Sequence, residues 1–327
     1  MEPVTTDPLS AIESYSDNPS AFLALNSRTR HFAVPGVDGV IAYRERGRTI
    51  VQFGGPFAPP DQAETLLGHF LDAVALRRAR VVAVQLQRAD AELYARRGFT
   101  VNQLGASYAV DLSRFTLRGG AFVKLRNKIS RALRGGLVVE EADAVDRADA
   151  IAAIDREWLR DKGKHVKELQ FLIGEASGEY QPRRRLFLGS IDGAPVGYIS
   201  YAPVYGSRPG WLHDLSRRRG HELPGVMEAI NKTAIDTFTA EGAGWLHFGF
   251  TPFTGLSDEH ELPGASPTVG RIIRGLASHG RVVYPAATQL AYKEKWAPHA
   301  VLGEYVAFHG RPRPGPIWQL LRISNAI

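Results

Sequence analysis

Three short stretches hold the residues best suited to chemistry. "HDLSR" sets the carboxylate of Asp214 three residues before the guanidinium of Arg217, and "YKEKW" sets Lys293 and Lys295 either side of Glu294. "GFTPFTG" carries the hydroxyls of Thr251 and Thr254 around Pro252. Carboxylate, guanidinium, ammonium and hydroxyl groups can bind charged substrates, steady a developing oxyanion and move protons. Each stretch also has an ordinary structural reading: an ion pair at a strand end, a solvated charged helix turn, a proline turn. The chain has no cysteine, which excludes disulfides, thiolate metal sites and thiol nucleophiles. Its 10 histidines include no His-x-x-x-His pair, so no metal centre is expected. His213 adjoins Asp214, but neighbouring side chains on a strand point to opposite faces, so it is not expected to serve Asp214 as a base partner.

These groups must be positioned by a chain of 327 residues, 44% hydrophobic and 23% charged, which is globular and long enough for two domains. The first half alternates strand and helix patterns. Residues 38–57 read as two strands joined by a charged turn, 60–79 as a helix with Leu66, Leu67, Phe70, Leu71 and Val74 on one face, and 80–86 as a short strand. The helix "ADAELYARRGF" and the strand "ASYAVDL" follow. The second half repeats the order: a hairpin over 183–204 turning at Asp192-Gly193, a strand over 210–218, a helix over 225–243 and the strand "GWLHFGF". "YARRGF" and "YKEKW" are copies of one motif. Phe99 precedes Tyr108 by nine residues, and Trp296 precedes Tyr305 by the same interval. Duplication explains this match together with the shared element order.

Between the halves lies a basic segment with no Asp or Glu from Leu112 to Val139. As a helix from Ala121 to Arg134, it aligns Leu125, Ile129, Ala132 and Leu133 in one stripe. Lys124, Lys128, Arg131 and Arg134 fall opposite, with Arg126 nearer the apolar edge. It reads either as a bridging helix with a solvated face or as a surface that follows phosphates, since no acid offsets these charges. A net charge of +6 suits a polyanionic partner, nucleic acid or an anionic membrane surface. The first 22 residues lack a signal-peptide pattern and no stretch reaches about 18 consecutive apolar residues, so a cytoplasmic location is expected, with at most peripheral contact with the inner face of a membrane.

"ELYARRGFTV" and "LFLGSIDGAPVGYISY" resemble the closing helix–strand and the central hairpin of the GNAT acyltransferase fold. "FTLRGGAFVKLRNKISRALRGGLVV", "FLIGEASGEY", "HDLSRRRGHELPGVMEAI", "LHFGFTPFTGL" and "AYKEKWAPHAVLGEYVA" occur in the order found in one branch, the aminoacyl-tRNA-dependent transferase domain of phosphatidylglycerol lysyl- and alanyltransferases. The resemblance implies an α/β (α+β) protein with two tandem GNAT-like domains, 1–115 and 139–327, joined by a basic helix over 116–138. It implies an aminoacyltransferase that takes its amino acid from aminoacyl-tRNA, with no further cofactor, and passes it to a hydroxyl or amine. The acceptor is a small molecule of a biosynthetic pathway or phosphatidylglycerol.

In that reading Asp214 binds the ammonium of the aminoacyl group and Arg217 orients an ester or phosphate oxygen. Lys293 or Lys295 neutralises a phosphate, with Lys293 the one expected to face the site, and Thr251 or Thr254 hydrogen-bonds a substrate. Lys124, Arg126, Lys128, Arg131 and Arg134 hold tRNA. Two alternatives stand beside it: an acyl-CoA-dependent N-acyltransferase and a non-catalytic tRNA- or membrane-binding module. Against the first, "RRRGHELPG" carries Glu222 where a pyrophosphate loop needs a small residue, and Pro224, which lacks an N–H. "VVYPAATQL" departs from the family pattern, which points to a different acceptor pocket.

Overall fold

A computed structural model describes residues 6–162, 170–220, 223–279 and 286–325. His221, Glu222 and the first part of "VVYPAATQL" therefore lie outside the described residues.

One eleven-stranded sheet runs through both halves. The first half supplies β1 (Arg30–Val34), β2 (Val37–Arg46), β3 (Thr49–Phe57), β4 (Arg80–Leu86) and β5 (Phe99–Asp111), with helices α1 (Pro8–Tyr15), α2 (Ala63–Leu76) and α3 (Arg88–Arg96). Helix α4 (Val123–Arg134) crosses to the second half. There β6 (Leu137–Ala142), β7 (Arg185–Ile191), β8 (Ala194–Val204), β9 (Gly210–Arg218), β10 (Trp245–Pro252) and β11 (Ala300–His309) are interspersed with α5 (Ala148–Lys162), α6 (Val226–Ala240), α7 (Pro267–His279) and α8 (Ala286–Glu294). Helix α9 (Pro314–Ile323) comes last.

The strand order is β1-β2-β3-β4-β11-β5-β10-β9-β8-β7-β6, so the closing strands are exchanged. β11 of the second half lies antiparallel to β4 of the first, and β5 of the first lies antiparallel to β10 of the second. β5 and β11 then pair with each other, antiparallel, from Phe99–His309 to Ala109–Ala300. The two copies of the repeated motif thus meet at the centre of the sheet, and β5, flanked on both sides, is buried along nearly its whole length. The sequence placed only the end of β5; its 13 residues begin at Phe99 because Val101, Asn102 and Gln103 already pair with β11.

Each half contains one parallel pair that separates part-way. β3 and β4 pair from Thr49–Arg80 to Phe53–Val84, and β9 and β10 pair from Gly210–Trp245 to Leu212–His247. Beyond those points β4 and β10 each bulge against the exchanged strand. The residues at the bulges, Gln85 (φ 53°) and Gly249 (φ 65°), are left-handed, and they turn their carbonyls out of the ladders.

Three helices set the second half. α4 packs on α6 through Leu125, Ile129 and Ala132. Leu133 does not join this stripe but is 49% exposed, because the 3.6-residue period carries it past the edge of α6. α8 and the turn that follows it deliver Tyr292 and Trp296 into the same core, where they pack against Phe248.

Candidate active site

At each parallel-pair opening, the bulge carbonyl accepts a hydrogen bond from a side chain. In the first half the donor is the amide of Asn18, 2.7 Å from the Gln85 oxygen. In the second half it is the ammonium of Lys293, 2.6 Å from the Gly249 oxygen. The first opening is closed by a neutral amide, whereas the second holds an ionisable group. Lys293 is buried and its Nζ lies 5.5 Å from the centre of the Tyr108 ring.

Glu304 of β11 lies near Lys293, fully buried, and accepts a hydrogen bond from the Ser107 hydroxyl of β5. Burial pushes Lys293 down to about 7, with the negative charge of Glu304 pulling the other way. Burial pushes Glu304 up to about 8, against the charge of Lys293 and the nearby Gln87 amide. Both groups therefore titrate near neutrality, where a proton can move in either direction at little cost. Thr251, two residues beyond Gly249, is fully buried and its hydroxyl has no hydrogen-bond partner among the described residues. The Thr254 hydroxyl is engaged locally: it donates to the Thr251 carbonyl and accepts from Tyr108, each at 3.0 Å.

Lys295 is placed differently. Its ammonium is 3.0 Å from Glu228 of α6 and 5.2 Å from the Tyr292 ring centre, with a third of the side chain exposed. Glu228 also lies 3.5 Å from Lys128 of α4. Burial works upward on the Glu228 carboxyl, but the hydrogen bond and charge of Lys295 and the charge of Lys128 hold it below the usual range. This triad ties α4, α6 and α8 together.

Strand β9 separates the next two groups. A register shift against β8 falls between the pairs Tyr201–His213 and Ser200–Leu215, leaving Asp214 at the irregularity in mid-strand. His213 turns to the α6–α8 side, hydrogen-bonds Asn231 at 3.2 Å and packs among Tyr201, Phe248 and Tyr292. Burial among these rings pushes it down to about 4, so it is neutral at physiological pH. Asp214 turns to the other side, where Arg184 pairs with it at 3.2 Å, both side chains 1% exposed. Arg184 also donates to Asn26 at 2.9 Å and lies over the Phe22 ring. Burial pushes the Asp214 carboxyl up, opposed by Arg184. No side chain fits at Gly174, where a Cβ would stand 2.3 Å from the Asp214 carboxyl. Arg217 is buried against α5, 3.0 Å from Asp155 and stacked on Trp158, and the Tyr198 hydroxyl donates to Asp155 at 2.6 Å. Asp214 and Arg217 are thus each paired with a buried or half-buried side chain of the protein itself, Arg184 and Asp155.

On α4, Lys124, Lys128, Arg131 and Arg134 are exposed. Arg126 folds back, and its guanidinium donates to the carbonyls of Leu117 and Gly119, fixing the chain that enters the helix.

Glu304, Ser107 and Arg184 were not singled out from the sequence. A lone Glu inside "GEYVAF", flanked by strand-forming apolar residues, was the available signal, since a charge on a central strand must find an internal partner.

Two exchanged halves, each with a parallel pair opening at a bulge, define the tandem GNAT-like class of acyltransferase fold. The family model for the C-terminal region of phosphatidylglycerol lysyltransferase matches residues 10–308, and the chain belongs to that family. It is 25% identical over 290 residues to the phosphatidylglycerol lysyltransferase of Bacillus subtilis, covering 87% of this chain and 32% of that protein. It is 23% identical over 261 residues to an MprF-like domain protein of Mycobacterium tuberculosis, covering 76% of this chain and 52% of that protein. The chain therefore spans about a third and about half of these two relatives. Among solved structures, L-PGS from Bacillus licheniformis superposes with a TM-score of 0.80 at 21% identity, covering 99% of both chains. A C-terminal domain from Agrobacterium fabrum, proposed to belong to a lysylphosphatidylglycerol synthetase, gives 0.79 at 20% identity, covering 98% of this chain and 96% of that one. At these identities the structural likeness establishes the fold.

Proposed function

We propose that the protein transfers an amino acid from aminoacyl-tRNA to a hydroxyl or amine acceptor. The observation that carries this reading is the buried Lys293 ammonium, held at the Gly249 carbonyl where β9 and β10 part and balanced by Glu304. An aminoacyl ester is already activated, so the reaction needs alignment, a proton acceptor and a stabilised oxyanion rather than a covalent intermediate. The neutral Lys293 amine takes the proton from the acceptor as its oxygen or nitrogen attacks the ester carbon. The resulting ammonium stabilises the oxyanion and returns the proton to the departing ribose hydroxyl of the tRNA. The negative charge of Glu304 favours the ammonium that forms when Lys293 takes up the proton, and the proton leaves again with the ribose hydroxyl. The buried Thr251 hydroxyl, without a hydrogen-bond partner among the described residues, supports a role for it in hydrogen-bonding substrate.

Asp214 and Arg217 act through position. Through Arg184 and Asn26, Asp214 ties β9 to the first half, and Arg217 ties β9 to α5. The exposed cations of α4 give the tRNA a phosphate-binding surface. Phosphatidylglycerol is the first acceptor to test, because the Bacillus subtilis relative is named for a reaction on that lipid. A small amine or hydroxyl compound is the second.

The test offers each radiolabelled amino acid, charged on tRNA, with either phosphatidylglycerol vesicles or a lipid-free cell extract. RNase-sensitive transfer into one of them is expected. Failure in both, with acetyl-CoA raising the melting temperature, would replace this reading with an acyl-CoA-dependent one.

A further inference from the structure

Helix α9 lies beyond the residues matched by the family model. Its inner face seats Pro316, Leu320 and Ile323 against β2, β3 and β4. Helical geometry then places Ile317, Leu321 and Trp318 on the outer arc, and they are 41%, 36% and 53% exposed. A helix that packs on a core has no structural need for a second apolar face. The charges in its own stretch of chain have one sign. Arg311, Arg313 and Arg322 are exposed, and residues 305–327 contain no Asp or Glu. On the same side of the sheet, α7 packs Val269 and Ile273 into the same core and exposes Ile272 at 58% between Arg271 and Arg274. α9 lies over β2 to β4 and α7 over β5, with only β11 between.

We infer that the outer face of α9, with the adjoining edge of α7, is a docking surface for an anionic lipid bilayer. The residue types fit an interface: an indole at headgroup depth, Ile and Leu reaching the acyl boundary, and arginines meeting lipid phosphates. A protein partner would be met by apolar residues with a mixed polar rim, whereas along α9 itself the exposed charges are all positive; on the α7 edge Arg274 lies 3.8 Å from Glu261. At ten residues α9 is too short to span, so it lies in the plane of the surface. The surface is separate from Lys293 and Glu304 and does not require the lipid to be the acceptor.

The test is flotation of the full chain with vesicles of phosphatidylcholine alone, or mixed with phosphatidylglycerol or with phosphatidylserine, in the absence of tRNA. Equal binding to both anionic mixtures, with little to phosphatidylcholine, is expected. Ile317→Asp with Trp318→Asp should weaken that binding about tenfold or more. Arg311→Glu with Arg313→Glu should weaken it and flatten its salt dependence. Both variants should melt at the wild-type temperature, since the altered side chains are exposed. Four outcomes would overturn the inference: no binding to either anionic mixture, binding to phosphatidylglycerol alone, unchanged binding by the Ile317/Trp318 variant, or wild-type dimers that this variant converts to monomers. Because no tRNA is present, failure of the transferase reading leaves this test unaffected.

Discussion

Ser107 and Glu304 occupy the same position in the two copies of the repeated motif, eight residues after Phe99 and Trp296 respectively, and they hydrogen-bond to each other. They meet because the closing strands are exchanged and paired antiparallel, which brings equivalent residues together near a local twofold axis. The duplication has diverged here into a hydroxyl donor and a carboxyl acceptor. The buried charge of Lys293 then has a polar neighbourhood drawn from both halves, so neither half alone forms the site.

Glu304→Gln keeps the shape and removes the ionisation. Glu304 is raised from 4.5 to about 8, so between those pH values the native state binds a proton that the unfolded chain has released, and stability falls as pH rises. Glutamine mimics the protonated acid. The variant should therefore match the wild type near pH 5 and gain on it up to pH 8, by up to about 1.4 kcal/mol per pH unit. Urea titrations across that range check this. Transfer activity should fall by about 100-fold or more despite the greater stability.

The two lysines of "YKEKW" should separate cleanly. Lys293→Met fills similar volume without an amine and should reduce transfer by about 100-fold or more, with aminoacyl-tRNA binding little changed. Lys295→Gln loses a partly exposed ion pair and should cost no more than about 1 kcal/mol of stability, with transfer within about threefold of wild type. Single-turnover rates and melting curves of the two variants decide it. Equal loss of activity in both would shift the role to the whole charged turn.

What the sequence made legible follows from what is local. Hydrophobic period and turn residues marked the hairpins and helices, and a fixed interval from Phe99 to Tyr108 and Trp296 to Tyr305 revealed the duplication. Strand exchange is non-local: nothing in "GEYVAF" says that β11 will pair with β4, so the partnership of Glu304 with Ser107 was invisible. The Lys293 and Lys295 pattern allowed either lysine to face inward, and the seating of α8 beside β10 settled which is buried. Asp214 was legible as a special residue. Its partner Arg184, thirty residues upstream in a run of three arginines, was not distinguishable from its neighbours.

Asp214→Asn should leave Arg184 buried without its counter-charge and destabilise the fold by about 3–5 kcal/mol. Arg184→Met combined with Asp214→Leu should recover much of that loss, because an apolar pair avoids the unbalanced charge. Chemical denaturation of the cycle measures the coupling. If the double variant regains stability and transfer together, Asp214 acts by position. If stability returns while transfer stays low, its carboxylate contacts the substrate, as the family resemblance implies.

The basic helix carries the last prediction, because its cations are not equivalent. Arg126 is committed to the carbonyls of Leu117 and Gly119, and Lys128 is shared with Glu228, so replacing either disturbs the fold. Lys124, Arg131 and Arg134 are exposed and project from the helix that α6 supports. Reversing those three charges should raise the apparent KM for aminoacyl-tRNA by about tenfold or more and leave kcat near the wild-type value. It should also reduce the slope of log affinity against log salt by about 2, the release expected for three single-strand-like phosphate contacts. An unchanged slope would move the tRNA elsewhere on the protein, and a lowered kcat with unchanged slope would make α4 a structural brace only.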